Sequence, residues 1–144
     1  KKCSQCTDIT KNSCLATMDT MKNADLQIEV IRTDLFNGFC YSYMADLIVF
    51  NPPYVPSLAK EKNYEGSNTW YGGESGLETI DEFLVQAKNY MNLEATLYFI
   101  CFSNSNVERL ESFIQMKIIS DYCVFGPKNC GSELLSVHCF KRIK

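Results

Sequence analysis

The residues Asn51-Pro52-Pro53-Tyr54 directly follow an apolar run, Ala45 to Phe50, and carry the most specific chemistry in this chain. A conjugated NH2 group, in a carboxamide or an aminopurine, is a poor nucleophile because its lone pair is delocalised into the adjoining π-system. Two acceptors that bind both of its N–H groups hold the nitrogen in line with a methyl donor. They also favour the positive charge that grows on nitrogen during transfer. The Asn51 side-chain oxygen and the Pro52 carbonyl can form that pair. The prolines Pro52 and Pro53 lock the backbone around them, and Tyr54 can stack on the flat amide or ring. A plainer account is a strand stopped by prolines, with an aromatic in the next loop. It explains any two of these residues but is weak for four in order.

Two acidic residues share the same kind of position. Asp8 lies at the carboxyl end of a short strand read from about Ser4 to Thr7, and Asp34 closes a second strand built on Ile28, Val30 and Ile31. In open α/β sheets, ligands bind outside the carboxyl ends of the strands. The first acid can accept both ribose hydroxyls of a nucleoside cofactor, and the next can accept a hydrogen bond from an adenine amino group. Either can equally be an ordinary turn or capping residue.

The elements that must position these groups alternate as an α/β domain with a mainly parallel sheet should. Thr10 can cap a helix through about Asn23, where Leu15, Met18 and Met21 recur at helical spacing. Ala45 to Phe50, apolar after Asp46, reads as a strand covered on both faces. Residues 55 to 76 form a long loop holding the sole tryptophan, Trp70. Leu77 to Met91 reads as an amphipathic helix with Ile80, Leu84 and Ala87 on one face, followed by a strand from Thr96 to Phe102 and a helix from about Ser105 to Lys117. Ile118 to Phe125 and Leu134 to Phe140 form a terminal antiparallel pair joined by a Gly/Pro/Asn loop.

The bulk numbers fit one soluble domain: 144 residues, 46% hydrophobic, 22% charged. A net charge of −3 argues against a large nucleic-acid surface. No stretch approaches the ~20 apolar residues that span a bilayer, and no signal peptide is visible. Of the eight cysteines, Cys3 and Cys6 form one C-x-x-C, but Cys14, Cys40, Cys101, Cys123, Cys130 and Cys139 supply no matching second pair for zinc. The expectation is reduced, mostly buried thiols, no metal site and a cytosolic protein. His138, the sole histidine, reads as a half-buried sheet residue rather than a base; Tyr41 and Tyr43 read as filler.

Taken in order, these segments resemble the HemK family of protein-glutamine methyltransferases. Ala45-Asp46-Leu47-Ile48-Val49-Phe50-Asn51-Pro52-Pro53-Tyr54 is similar to that family's motif IV. Cys6-Thr7-Asp8-Ile9-Thr10 resembles its strand 2 with the ribose-binding acid, and Thr33-Asp34-Leu35 the segment facing the cofactor adenine. Trp70-Tyr71-Gly72-Gly73-Glu74-Ser75-Gly76 resembles its Gly-Gly loop, and Glu133-Leu134-Leu135-Ser136-Val137 its last strand. The resemblance implies a Rossmann-like class I methyltransferase sheet of order 3-2-1-4-5-7-6, last strand antiparallel, with S-adenosylmethionine as cofactor. It implies cofactor contacts from Asp8, Ile9, Asp34, Leu35 and Asn51, and catalysis by Asn51, Pro52, Pro53 and Tyr54. The branch it matches methylates the glutamine of the Gly-Gly-Gln loop of translation release factors. That branch pairs the edge strand, here residues 26 to 32, with a small zinc-binding activator subunit.

One departure is large. The family's acidic-x-Gly-x-Gly cofactor loop follows its strand 1, and no such pattern occurs here. Residues 1–144 are therefore expected to be a partial methyltransferase domain running from strand 2 to the C-terminal strand. Lys1-Lys2-Cys3, without an initiator Met, suggests a trimmed chain that alone neither binds the cofactor normally nor catalyses. Two other readings stay open: an adenine-N6 methyltransferase acting on DNA or RNA, since the same motif serves a flipped adenine, and a non-catalytic remnant of the fold.

Overall fold

The computed structural model describes residues 4–40, 42, 44–56, 70–102, 119–131 and 133–142, with backbone only at 119–122. The helix expected at 105–117, most of the 55–76 loop, Cys3, Tyr41 and Tyr43 lie outside them. The chain divides into two units, Lys1–Tyr41 and Ser42–Lys144.

In the first unit, β1 (Gln5–Asp8) pairs in parallel with β2 (Glu29–Arg32), Cys6 opposite Val30 and Asp8 opposite Arg32. Between them runs α1 (Lys11–Asn23), capped as its sequence predicts: Thr10 is extended at φ −94° and its hydroxyl accepts from the Ser13 amide at 3.2 Å. The helix ends because Asp25 turns left-handed at φ 51°. The Asp25 amide then donates to Lys22 O and the Leu26 amide to Met21 O, so the last carbonyls are satisfied. Its inward face is not the Leu15–Met18–Met21 stripe. Cys14 and Met21 are buried, whereas Leu15 and Met18 are about half exposed. Two short strands offer a narrow surface, wide enough for one row of the helix.

In the second unit, β3 (Ala45–Phe50), β4 (Met91–Phe102), β6 (Glu133–Arg142) and β5 (Ile119–Cys130) lie in the order β3-β4-β6-β5. β3 and β4 are parallel; β6 runs antiparallel to β4 and β5 to β6. The two sheets reproduce the 3-2 and 4-5-7-6 portions of the expected order, last strand antiparallel. Helix α2 (Glu78–Ala87) covers one face, burying Ile80, Phe83, Leu84 and Ala87, with Phe83 stacked on Phe50 at 4.0 Å. That sheet face carries Ile48, Leu97, Phe99, Cys101 and Phe140, all buried. Phe99 and Phe140 stack at 5.5 Å.

Several expectations need correction here. β3 is not covered on both faces: Ile48 is buried, but Leu47 and Val49 on the alternate face are 59% and 73% exposed. β3 is an outer strand of its sheet, and α2 reaches only the Ile48–Phe50 side. α2 stops at Ala87, and β4 starts at Met91 rather than Thr96. The register jumps from Ala45–Met91 to Leu47–Thr96, and Glu94 sits left-handed at φ 67° in the extra residues. β5 runs through Gly126 and Pro127 to Cys130 with a register shift, so the expected loop is strand. An edge strand tolerates a proline because that side needs no ladder donor. No helix among the described residues is long and apolar enough to cross a membrane.

Candidate active site

β3 stops at Phe50 because Pro52 and Pro53 cannot continue a hydrogen-bonded ladder. Asn51 is exposed at the carboxyl end of the strand, Pro52 is buried, and Pro53 and Tyr54 are half-buried. The backbone then forms a single parallel bridge, Val55 to Tyr71. The Val55 amide donates to Trp70 O and the Gly72 amide to Val55 O, each at 3.0 Å. Residues 70–76 are thereby clasped onto the motif. The fit needs glycine: a Cβ on Gly72 would lie 2.5 Å from Pro53 O, and one on Gly76 2.5 Å from Tyr54 O.

Glu78 fastens the clasp to α2. Its carboxylate accepts from the Ser75 amide and hydroxyl at 3.0 Å and from the Leu77 amide at 3.1 Å, while its own amide donates to Gly72 O at 3.1 Å. Burial alone would raise this carboxyl's pKa; the hydrogen bonds from Ser75 and the backbone outweigh it and hold the pKa below its ordinary value. The Tyr54 ring packs nearly perpendicular to Phe102 at 5.2 Å, and its hydroxyl donates to Glu133 at 3.3 Å. Burial, then the Glu133 charge and hydrogen bond, push the phenol's pKa up.

In the first unit, the Asp8, Ile9, Asp34 and Leu35 positions gather at the carboxyl ends of two adjacent strands. Asp8 Oδ1 accepts from the Thr10 amide at 2.7 Å and hydroxyl at 3.0 Å, so this acid does serve as the turn residue of the plainer account. A carboxylate has about four acceptor sites, so this use is compatible with a ligand. The Thr33 amide donates to Asp8 O at 3.0 Å, and Arg32 Nε to Ile9 O at 3.1 Å, tying the two strand ends together. Ile9 and Asp34 are exposed. Leu35 takes φ 46°, a left-handed conformation that a branched residue adopts only when its surroundings demand it.

His138 is buried, not half-buried: only 2% exposed, stacked on Phe99 at 5.1 Å, with Nε2 3.0 Å from Cys101 Sγ. Burial lowers its pKa, and it belongs to the core. Of the seven described cysteines, none in a disulfide, Cys14, Cys101 and Cys139 are buried, Cys6 is intermediate, and Cys40, Cys123 and Cys130 are exposed. Mostly buried thiols was therefore the wrong expectation; Cys123 and Cys130 lie on the edge strand β5, which has no outer neighbour among the described residues. No group of three metal-ligating side chains occurs among the described residues. Residue-by-residue reading missed Glu78 and Glu133 as site members. The spacing Ser75-x-x-Glu78, that of a capping box, could have found the first; no local signal marks the second.

No protein-family model matches the chain. It is 28% identical over 140 residues to the human methyltransferase HEMK2, covering 95% of this chain and 65% of the relative. It is 24% identical over 148 residues to the catalytic subunit mtq2 of the eRF1 methyltransferase of Schizosaccharomyces pombe, covering 94% and 63%. The chain thus spans just under two thirds of the length of these relatives. Among solved structures, it matches the Mtq2 and Trm112 complex of E. cuniculi, responsible for methylating the eRF1 termination factor, with TM-score 0.61 and 16% identity over 99% of this chain and 87% of that one. It also matches an rRNA methylase of Streptococcus thermophilus with TM-score 0.64 and 12% identity over 97% and 73%.

Proposed function

We propose that this chain, which belongs to the HemK-type family of protein-glutamine methyltransferases, transfers a methyl group to the side-chain nitrogen of a glutamine in a translation termination factor. The observation that carries this reading is the motif Asn51-Pro52-Pro53-Tyr54 at the open end of β3, held by a glycine clasp that leaves no room for a side chain. Asn51 Oδ1 and the Pro52 carbonyl accept the two amide N–H groups of the substrate. The Tyr54 ring stacks on the amide plane, and the nitrogen lone pair is turned toward the electrophile.

Bound S-adenosylmethionine would supply the electrophilic methyl group. Asp8 and Asp34 would hold its ribose and adenine, with Ile9 and Leu35 beside them at the same strand ends. The left-handed Leu35 beside Asp34 supports this assignment, because a strained backbone of this kind clusters at ligand-holding segments. The substrate is favoured by the relatives' names, which include eRF1 and ribosomal-protein glutamine methyltransferases. A small partner subunit on the outer edge of β2 completes the reading: Ile28, Val30 and Ile31 are only half-covered, and β2 pairs on one side only within its sheet. The zinc-binding character of that subunit and a cytosolic location belong to the same proposal.

The test is methyl transfer by the full-length protein from labelled cofactor to three acceptors: termination factor, the same factor lacking the glutamine, and duplex DNA. Label on the intact factor alone is expected. Label on DNA adenine would establish the adenine reading instead, and label on none would establish a non-catalytic fold. Full activity of monodisperse protein without any partner would remove the subunit from the account.

A further inference from the structure

We infer that Glu133 is a positioning residue for the transfer, fixing the Tyr54 ring through its hydroxyl at the angle from which the ring meets the substrate amide. This rests on the reading above, in which Tyr54 stacks on that amide. The backbone of Tyr54 is already set: Pro53 precedes it and the Val55–Tyr71 bridge follows it. What remains free is the ring, and two contacts from separate strands govern it. Phe102, the last residue of β4, meets the ring nearly perpendicular at 5.2 Å, limiting its swing. Glu133, the first residue of β6, accepts from the hydroxyl at 3.3 Å and sets the ring's direction. Glu133 is itself anchored, because it pairs with Cys130 where the β5–β6 hairpin begins.

The hydroxyl contact is longer than the ~2.7 Å usual for O–H···O. Such contacts commonly tighten when the substrate arrives, so the carboxylate is placed to pull the ring home as the amide slides beneath it. With burial and an adjacent carboxylate both opposing ionisation, the phenol stays a donor to Glu133. Tyr54 therefore works by shape, and Glu133 works through Tyr54.

A double-mutant cycle on the full-length protein, with its partner if one is needed, tests this on whichever acceptor takes the methyl group. Tyr54→Phe and Glu133→Ala are each expected to lower kcat about tenfold, the worth of one modest hydrogen bond, with cofactor KM unchanged. The double variant should be no worse than either single one. Glu133→Gln keeps an acceptor and should restore most of the loss, with folding intact. Multiplied losses in the double variant, or a loss in Glu133→Ala confined to melting temperature, would overturn the role. An independent readout is the phenol titration in protein carrying 13C-labelled tyrosine, with Tyr54 assigned by its absence in Tyr54→Phe. The parent's raised titration should fall in Glu133→Ala; an unchanged titration would also overturn it. A parent that methylates nothing refutes the functional reading and this role together. That case is recognisable because the phenol shift persists without activity.

Discussion

Replacing Gly72 by alanine tests whether the clasp positions the motif or merely lies beside it. Gly72 has no left-handed φ, so an added methyl group brings no backbone strain, only a demand for space. Its Cβ would meet Pro53 O at 2.5 Å, Gly76 O at 2.8 Å and Tyr54 Cα at 2.9 Å, where real contacts do not fall below 3.0 Å. All three neighbours are backbone, so no side chain can swing away, and the Pro53 carbonyl must recede by roughly half an ångström or more. Overpacking of this kind costs about 1–3 kcal/mol of stability. The effect on rate should be larger than that cost suggests. The displaced atoms adjoin the Pro52 carbonyl, and a misplacement near 1 Å can cost about a hundredfold. We expect kcat to fall roughly ten- to a hundredfold at a temperature where the variant is still folded. Gly131→Ala is the control: it has open space but a left-handed φ of 70°. It should lose about 1 kcal/mol of stability with unchanged kcat. Methyl-transfer kinetics and thermal denaturation of both variants decide the matter. If Gly72→Ala turns over within twofold of the parent, the clasp has no positioning role.

Asn51→Ala should lower turnover more than about a hundredfold, since one preorganised acceptor is worth on the order of 3 kcal/mol. Cofactor affinity measured by calorimetry should stay within a few-fold, and turnover within threefold of the parent would refute the assignment. Phe83→Ala removes a 3%-exposed ring stacked on Phe50 and should cost about 3–5 kcal/mol in urea denaturation. His138 gives a pH signature. Burial lowers its folded pKa, so below about pH 6.5 the unfolded state binds a proton that the native state resists. Its stability contribution is complete above that pH and declines on acidification, by at most about 1.4 kcal/mol per pH unit. A His138→Phe variant should lose that part of the slope, and an identical slope would show that another group is responsible.

What the sequence made legible was mostly local. Thr10 as a cap, the stop at Pro52-Pro53 and the Ile80, Leu84, Ala87 face of α2 each depend on residues within a turn or two of one another. The errors arise where the partner is distant. Leu15 and Met18 fit a helical stripe, but how much of that stripe is buried depends on the width of the sheet beneath. Leu47 and Val49 are as apolar as Ile48, yet only one face of β3 receives α2. Asn92 and Glu94 hid the start of β4 because an irregular register lets polar residues sit within a strand. In the site, the motif announced itself through four consecutive residues, and the resemblance supplied the glycine loop. Glu133 is 79 residues from Tyr54, and only the start of β6 lying at the rim of the sheet where β3 ends reveals the pair.

The Val55–Tyr71 bridge fixes both feet of the segment between them. With the Val55 amide bonded to Trp70 O and the Gly72 amide to Val55 O, Val55 and Tyr71 stand one strand spacing apart. Closing a chain between two fixed feet is thermodynamically forgiving: doubling its length costs only about 0.6 kcal/mol. Insertions or deletions between the feet can therefore accumulate without disturbing Asn51 or Tyr54. The bridge works like a hasp, so that changes in sequence length between its two halves need not reach the part that must not move.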